Sequence, residues 1–234
     1  MFTLARVLLL PVFLPYKLPL ISILYRDDYI LAVNKPSGLL SIPDGYHKEI
    51  PNLKKLLESD IPRVWTVHRL DKETSGIVLF ALNADAHRNL SLQFEKRLVK
   101  KTYLALVTGA LPNDSMNIDI PLKVNGDRRH RTVPDFSEGK TAQTDIERIK
   151  TYQFFTLVKA YPKTGYPHQI RAHLQHVGHP IINDILYGFT PLPNDCGLIV
   201  TRLMLHALCI SFEHPDSGKQ MLLQAPEPEE FCLQ

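Results

Sequence analysis

Residues 68–76 read HRLDKETSG, which places a carboxylate, Asp71, two residues after the guanidinium of Arg69 and one before the ammonium of Lys72, ahead of a small polar turn ending at Gly76. Such a cluster is either a solvated ion pair on a loop or an aspartate held ionised and aimed for nucleophilic chemistry. On a strand, Arg69 and Asp71 would face the same side of the sheet. A second concentration lies in TGYPHQIRAHLQHVGHP (164–180), which holds His168, His173, His176 and His179 around Arg171. Helical spacing sets Arg171 beside His168 and Gln175, on a polar face opposite Ile170, Leu174 and Val177, where a guanidinium can point into a cleft. His173 and His176 invite a zinc reading, but no HExxH and no cysteine pair accompanies them, so no metal is assigned. A third is KVNGDRRHR (123–131), which sets Lys123, Arg128, Arg129 and Arg131 against Asp127 alone. Its composition is that of a loop, and it reads equally as a solvated surface or as a phosphate-contacting arm.

The elements that must position these residues are mostly strands. ISILYRDDYILAVNKP gives two apolar runs around Arg26-Asp27-Asp28, a strand–turn–strand, and KPSG (35–38) is a turn. PNLKKLLE (51–58) predicts a short amphipathic helix opened by Pro51. IVLFAL (77–82) suits a buried strand. Asn83 then caps a helix with Ala86, Leu90 and Phe94 along one face. TYLALVTG (102–109) is a strand, 141–149 and 154–162 form an antiparallel pair, and 168–178 is a helix stopped by Gly178. LMLHALCISF and KQMLLQAP close the chain as strands. This is an α+β pattern with mainly antiparallel sheet, not a repeating βαβ fold.

The chain of 234 residues, 44% hydrophobic and 22% charged with a net charge of +3, has the composition of a soluble globular protein. Cys196, Cys209 and Cys232 give no CxxC pair and no disulfide framework, which fits buried small hydrophobes in a reducing cytosol. The apolar start, MFTLARVLLLPVFLPYKLPLIS, is broken by Pro11, Pro15, Pro19 and Lys17, so it falls short of the roughly 18–20 uninterrupted residues of a membrane span. It also lacks a signal-peptide cleavage site; with no acidic residue before Asp27, residues 1–20 read as an extended N-terminal arm, the alternative being a transit peptide, and 21–234 as a single catalytic domain.

Taken together, these blocks resemble the RluA-type RNA pseudouridine synthases. HRLDKETSG is similar to the family's HRLDxxTSG signature, KKTYLALVTG (100–109) to its KxYxAxVxG strand, and TGYPHQIRAHLQHVGHPIINDILYG (164–188) to its TGRxHQIRxHxxxxGHPIxGDxxYG block. YRDDYILAVNKPSGLLSIP and LMLHALCISFEHPDSGKQMLLQAPEPEEF resemble the opening and closing strands. The likeness covers nearly the whole chain from about Ile21, in the family's order.

The resemblance implies a long, mostly antiparallel bent sheet flanked by a few helices and loops, without the S4-type RNA-binding module of some relatives. It implies Asp71 as nucleophile on an RNA uridine, whose N1–C1′ bond is broken and whose uracil is rejoined through C5 without metal or cofactor. Arg171 becomes the guanidinium that keeps Asp71 ionised. Tyr103 stacks on the uracil and serves the C5 proton, its alternative being plain strand packing. Arg69 helps hold the RNA open once the uridine is flipped, or else pairs with a nearby acid. Thr74, Ser75 and Gly76 shape the loop. Lys123, Arg128, Arg129, Arg131, His168 and Gln169 are the expected RNA contacts. One departure is plain: Tyr166 and Pro167 stand where the family has arginine before its HQIR, which puts an RNA contact, and the inherited substrate, in question.

The expectation is therefore a cytoplasmic, monomeric isomerase acting on a uridine in a tRNA or rRNA stem-loop, with no obligate protein partner and no membrane. Its rivals are an RNA-binding relative without activity and a metal-dependent hydrolase.

Overall fold

The computed structural model describes residues 21–193 and 200–232, so the proposed N-terminal arm and Cys196 lie outside the described residues. In chain order the strands and helices are β1 (Ser22–Arg26), β2 (Ile30–Lys35), α1 (Leu53–Leu57), β3 (Trp65–Thr66), β4 (Ser75–Ala81), α2 (Ala84–Glu95), β5 (Lys100–Thr108), β6 (Ser115–Asp119), β7 (Leu122–Lys123), β8 (Val133–Pro134), β9 (Gln143–Thr151), β10 (Phe155–Pro162), α3 (Gln169–His176), β11 (Leu205–Glu213) and β12 (Gln220–Gln224). The class is α+β with mostly antiparallel sheet, as the pattern implied. The chain forms two compact units, one ending at Val99 and completed by Ala207–Pro226, the other spanning Lys100–His206 with the C-terminal residues.

In the first unit, β1 and β2 form an antiparallel pair whose turn is tied by Asp27, with Oδ1 accepting the N–H groups of Tyr29 and Ile30 at 2.8 Å each. Every residue of β4 is buried, as expected for a strand covered on both faces. It pairs with β2 from Ile30↔Ala81 to Lys35↔Gly76. Gly76 has φ +112, and a Cβ there would collide with the backbone of Ala207, so the sheet closes here only because the residue has no side chain. Asn83 caps α2 by accepting Ala86 N–H at 2.9 Å. Ala86 and Leu90 are buried, while Gln93, unforeseen, is buried too and pairs its amide with both backbone groups of Glu213 (2.7 and 2.9 Å). α1 is capped by Asn52, which accepts Lys55 N–H, so it starts two residues after the Pro51 that seemed to open it. Cys209 is partly exposed, and Cys232 of the second unit is exposed, contrary to their expected burial.

The second unit is an antiparallel sheet in the order β5-β10-β9-β6, with β7 and β8 forming a separate two-stranded ribbon. The α3 helix is more deeply set than its sequence suggested: Gln169, Ile170, Arg171, Ala172, His173 and Leu174 are all buried. Gly178 follows the helix with φ +88, the left-handed stop expected of it. No helix among the described residues is long and apolar enough to cross a membrane.

Candidate active site

Arg69 and Asp71 do not lie on a strand. Residues 67–74 form an irregular segment between β3 and β4, and their backbone groups are taken up by the 35–41 segment rather than by a ladder. Ser41 Oγ donates to Leu70 O at 2.8 Å and accepts Leu70 N–H at 3.0 Å, binding both backbone groups of the residue between Arg69 and Asp71. Gly38 N–H donates to Lys72 O (2.9 Å), Ser37 Oγ to Glu73 O (2.6 Å), and Thr74 N–H to Asp71 O (3.2 Å). On the upstream side, His68 Nε2 accepts Leu79 N–H at 2.9 Å and its ring stacks on Phe94 at 4.7 Å. Leu70 is buried, Asp71 half-buried and Arg69 exposed, so the alternation expected of a strand is produced by anchoring alone. Ser75 and Gly76, expected to shape the loop, already belong to β4.

Lys35 was missed. It is fully buried, and its ammonium donates to Pro36 O (2.9 Å), Leu39 O (2.7 Å) and Lys72 O (3.0 Å). Burial pushes it down to about 7, against the opposing pull of the Asp71 and Glu73 charges. Its only sequence signal was the lysine of KPSG, which reads as turn composition. The buried cation fixes the residue after Asp71.

In the second unit, Arg171 makes a bidentate pair with Asp184: Nε to Oδ2 and Nη2 to Oδ1, both 2.7 Å, with side chains 7% and 1% exposed. Two parallel charge-assisted bonds fix the guanidinium plane as well as its charge. The guanidinium carbon lies 4.9 Å from the Tyr187 ring centroid. Tyr187 in turn donates its hydroxyl to Thr132 O and accepts Thr132 N–H, both at 3.0 Å, and its oxygen lies 3.2 Å from His168 Nδ1. Since the one phenolic proton goes to Thr132, His168 Nδ1 is the donor in that contact. Asp184 and Tyr187 carried no assignment, because an aspartate and a tyrosine near a turn have no spacing that marks them as partners of a helix that ends eight residues before Asp184.

The remaining expected residues divide. Tyr103 is half-buried on β5, opposite Ala160 of β10. Lys101, two residues earlier and so on the same strand face, donates to Thr164 O at 3.1 Å, and burial pushes it down to about 8. Gln169, expected on the RNA, is 3% exposed. Its amide donates to Gln143 O and Thr144 Oγ1 and accepts from Thr164 Oγ1 and Tyr166 N–H, which ties down the loop before α3 instead. Tyr166 packs against the cluster of Leu122, Ala142, Ala172 and Tyr187, so the departure from the family pattern is absorbed as packing. His173 is buried, bonded to Thr144 Oγ1 and Ile120 O, and desolvation pushes its pKa down. Among the described residues no three His, Cys, Asp or Glu side chains are grouped to hold a metal.

Of the basic arm, Arg131 is turned inward: Nε pairs with Asp127 Oδ2 at 2.6 Å and Nη1 donates to Leu186 O at 3.1 Å, the residue before Tyr187. Lys123 pairs with Glu138 and Asp135. Both were expected on RNA and both brace the arm. Arg128 and Arg129 are exposed. Each unit thus holds one part of the expected chemistry, Arg69 and Asp71 in the first, Tyr103 and Arg171 in the second.

The family described as RNA pseudouridylate synthase matches residues 29–176. The chain is 40% identical over 200 residues to the dual-specificity RNA pseudouridine synthase RluA of Yersinia pestis, covering 85% of this chain and 95% of that protein. To the protein of the same name from Escherichia coli (strain K12) it is 37% identical over 213 residues, 91% of this chain and 95% of that one. To the ribosomal large subunit pseudouridine synthase C of Buchnera aphidicola subsp. Schizaphis graminum (strain Sg) it is 39% identical over 219 residues, 88% of this chain and 67% of that protein. Among solved structures, human RNA pseudouridylate synthase domain containing 1 superposes with a TM-score of 0.74 at 28% identity, covering 92% of this chain and 87% of that one.

Proposed function

We propose, for a chain that belongs to the RNA pseudouridylate synthase family, that Asp71 is the nucleophile that turns a uridine of structured RNA into pseudouridine. The atoms balance without a co-reactant: the N1–C1′ bond breaks, a C5–C1′ bond forms, the C5 proton is lost and N1 gains one. The observation that carries this role is the fixation of the backbone on both sides of Asp71, by Ser41 at Leu70 and by Lys35 and Gly38 at Lys72, with the carboxylate left half-buried. Covalent chemistry needs a carboxylate aimed to within a few tenths of an ångström, and loops reach that precision only when their backbone is bonded down.

Arg171 supplies the fixed positive charge of the site, Tyr103 the flat phenol that stacks on the uracil and serves its C5 proton, and exposed Arg69 the cation that holds the opened RNA. Arg128 and Arg129 take phosphates of the stem, on an arm braced by Lys123 and Arg131. His168 and Gln169 act behind them by fixing the start of α3. The relatives' names speak of dual specificity and of the large ribosomal subunit; a uridine in a tRNA or rRNA stem-loop is accordingly the proposed substrate, modified in the cytoplasm by the monomer.

Tritium release from [5-³H]uridine transcripts of tRNA and rRNA tests this. Wild-type protein releases tritium from one or a few sites, and Asp71→Asn binds the same transcripts without release. Binding without release by the wild type would sink the isomerase reading in favour of an RNA-binding relative.

A further inference from the structure

The turn at residues 135–139 is built to hold a large apolar side chain in water. Asp135 Oδ1 accepts the N–H groups of Ser137 (2.9 Å) and Glu138 (2.8 Å) and the Ser137 hydroxyl (2.8 Å), while Gly139 N–H closes onto Asp135 O at 3.0 Å. Asp135 N–H bonds Pro121 O at 2.9 Å, which fixes the turn to the start of the β7–β8 ribbon. Gly139 has no room for a side chain against Asp135 O and Pro121. What this turn presents is Phe136, 75% exposed. Its ring centroid lies 6.3 Å from that of His176, inclined by 55°, and His176 is itself exposed on the last turn of α3. Core formation does not account for this ring: the buried cluster of Leu122, Ala142, Ala172 and Tyr187 has Tyr166 and Leu186 packed against it, not Phe136.

The same ribbon carries charge. At one end of its two short strands is the turn with Phe136, at the other the loop with Arg128 and Arg129. Of the acids nearby, Asp127 pairs with Arg131, while Asp135 and Glu138 share the single ammonium of Lys123. On the ring's side of the ribbon Lys123 and exposed Lys140 offset Asp135 and Glu138, and the excess positive charge is that of exposed Arg128 and Arg129 at its other end. A lone aromatic pair in a charged surround, on a ribbon whose far loop carries two exposed guanidiniums, is poor material for a protein interface core, which depletes charge at its centre. It matches a base-stacking platform, where a flat ring takes the base and cations take the adjoining phosphates.

We propose that Phe136 and His176 form a stacking platform for an unpaired nucleobase of the RNA, with Arg128 and Arg129 on its flanking phosphates. This rests on the RNA reading above and adds a contact to a base other than the reacting uridine. A uridine presented in a loop, next to an unpaired neighbour, is thereby preferred to one in a closed helix.

The test measures binding apart from catalysis, using Asp71→Asn protein and two fluorescein-labelled RNA probes: a hairpin with a short uridine-containing loop and a blunt duplex of the same stem. Phe136→Ala weakens hairpin binding by about tenfold, leaves the duplex within about twofold, and is rescued by Phe136→Trp. The double change Arg128→Gln and Arg129→Gln weakens both probes and lowers the salt slope by roughly 1.5 to 2. Hairpin binding of Phe136→Ala within about twofold of the parent overturns the platform and leaves the ring to a protein partner; an equal loss on both probes overturns it as well, because a duplex offers no unpaired base. If the wild type releases no tritium while the hairpin preference and its loss in Phe136→Ala persist, the isomerase reading fails and the platform stands.

Discussion

In each unit a hydroxyl binds both backbone groups of one residue, with different consequences. In the first, the Ser41 hydroxyl binds both backbone groups of Leu70 and so fixes the residue before Asp71. In the second, the Tyr187 hydroxyl binds both backbone groups of Thr132 and so fixes the residue after Arg131. Around Ser41 the supports are backbone bonds to the loop and one buried cation, Lys35, on three carbonyls. Around Tyr187 they are side chains: the Arg171–Asp184 pair, the Arg131–Asp127 pair and two guanidinium–ring contacts, at 4.9 and 5.7 Å. Backbone bonds hold one segment still, whereas a side-chain network makes separate segments depend on one another. The first arrangement suits a single aimed carboxylate, and the second suits a helix and an arm that must keep register with each other.

The comparison is broken most severely at its charged members. Asp71→Asn removes the proposed nucleophile but none of the bonds from Ser41, Lys35 and Gly38 that fix the backbone on either side of it, so turnover falls by roughly 10⁴-fold or more with thermal stability and RNA affinity nearly unchanged; stopped turnover accompanied by a lower Tm would mean that Asp71 is a structural residue. Asp184→Ala attacks the other region. It leaves the Arg171 guanidinium 7% exposed and without its bidentate partner, which costs about 3–5 kcal/mol in urea unfolding. A loss below about 1 kcal/mol would show that the guanidinium reaches water or another acid, and the network argument would fail.

How far the sequence disclosed each region follows from the same difference. Strand and helix elements were legible because their signals are periodic: β4 reads as a continuous apolar run, and Asn83 caps α2 as its position predicted. Asp71 and Arg171 were singled out through motif likeness. Lys35 was not, because a lysine beside a turn looks solvated until the turn folds back to offer Pro36 O and Leu39 O and the 68–76 segment adds Lys72 O. Gln169 and Arg131 were expected on the RNA because polar side chains in a basic, loop-rich stretch read as surface, whereas Gln169 is buried and Arg131 turns to Asp127 and Leu186, since burial depends on what the fold lays over them. Asp184 and Tyr187 had no periodic signature, and only tertiary contact makes them partners of Arg171.

Lys35 sharpens the contrast through pH. Its folded-state pKa is depressed to about 7 from an ordinary value of 10.5, so between those values the unfolded chain holds a proton that the folded chain has shed. Stability consequently rises with pH from about 7 towards 10, with Lys101 adding to the rise above about 8. In Lys35→Met the rise begins near 8 rather than near 7, and the overall slope is smaller. Denaturant melts between pH 6.5 and 9.5 check this, and a Lys35→Met profile parallel to that of the wild type would show that the buried ammonium is not the titrating group.

The smallest effects come from the two hydroxyls, and they separate the regions most cleanly. Ser41→Ala and Tyr187→Phe each delete one oxygen that satisfies a backbone N–H and a backbone C=O, of Leu70 (6% exposed) and Thr132 (1% exposed) respectively. Each should cost about 1–3 kcal/mol, the penalty of leaving buried polar groups unmade. Their functional consequences diverge. Ser41→Ala loosens the residue next to the proposed nucleophile while leaving the proposed RNA arm alone, so kcat falls by roughly 10²-fold with KM little changed. Tyr187→Phe keeps the ring under Arg171 and Arg131 but frees Thr132 and the arm it ends, so KM rises and kcat is nearly preserved. If both variants lost kcat and KM in the same proportion, the two units would not be dividing the work, and the distinction between a backbone-held nucleophile and a side-chain-held RNA arm would have no functional content.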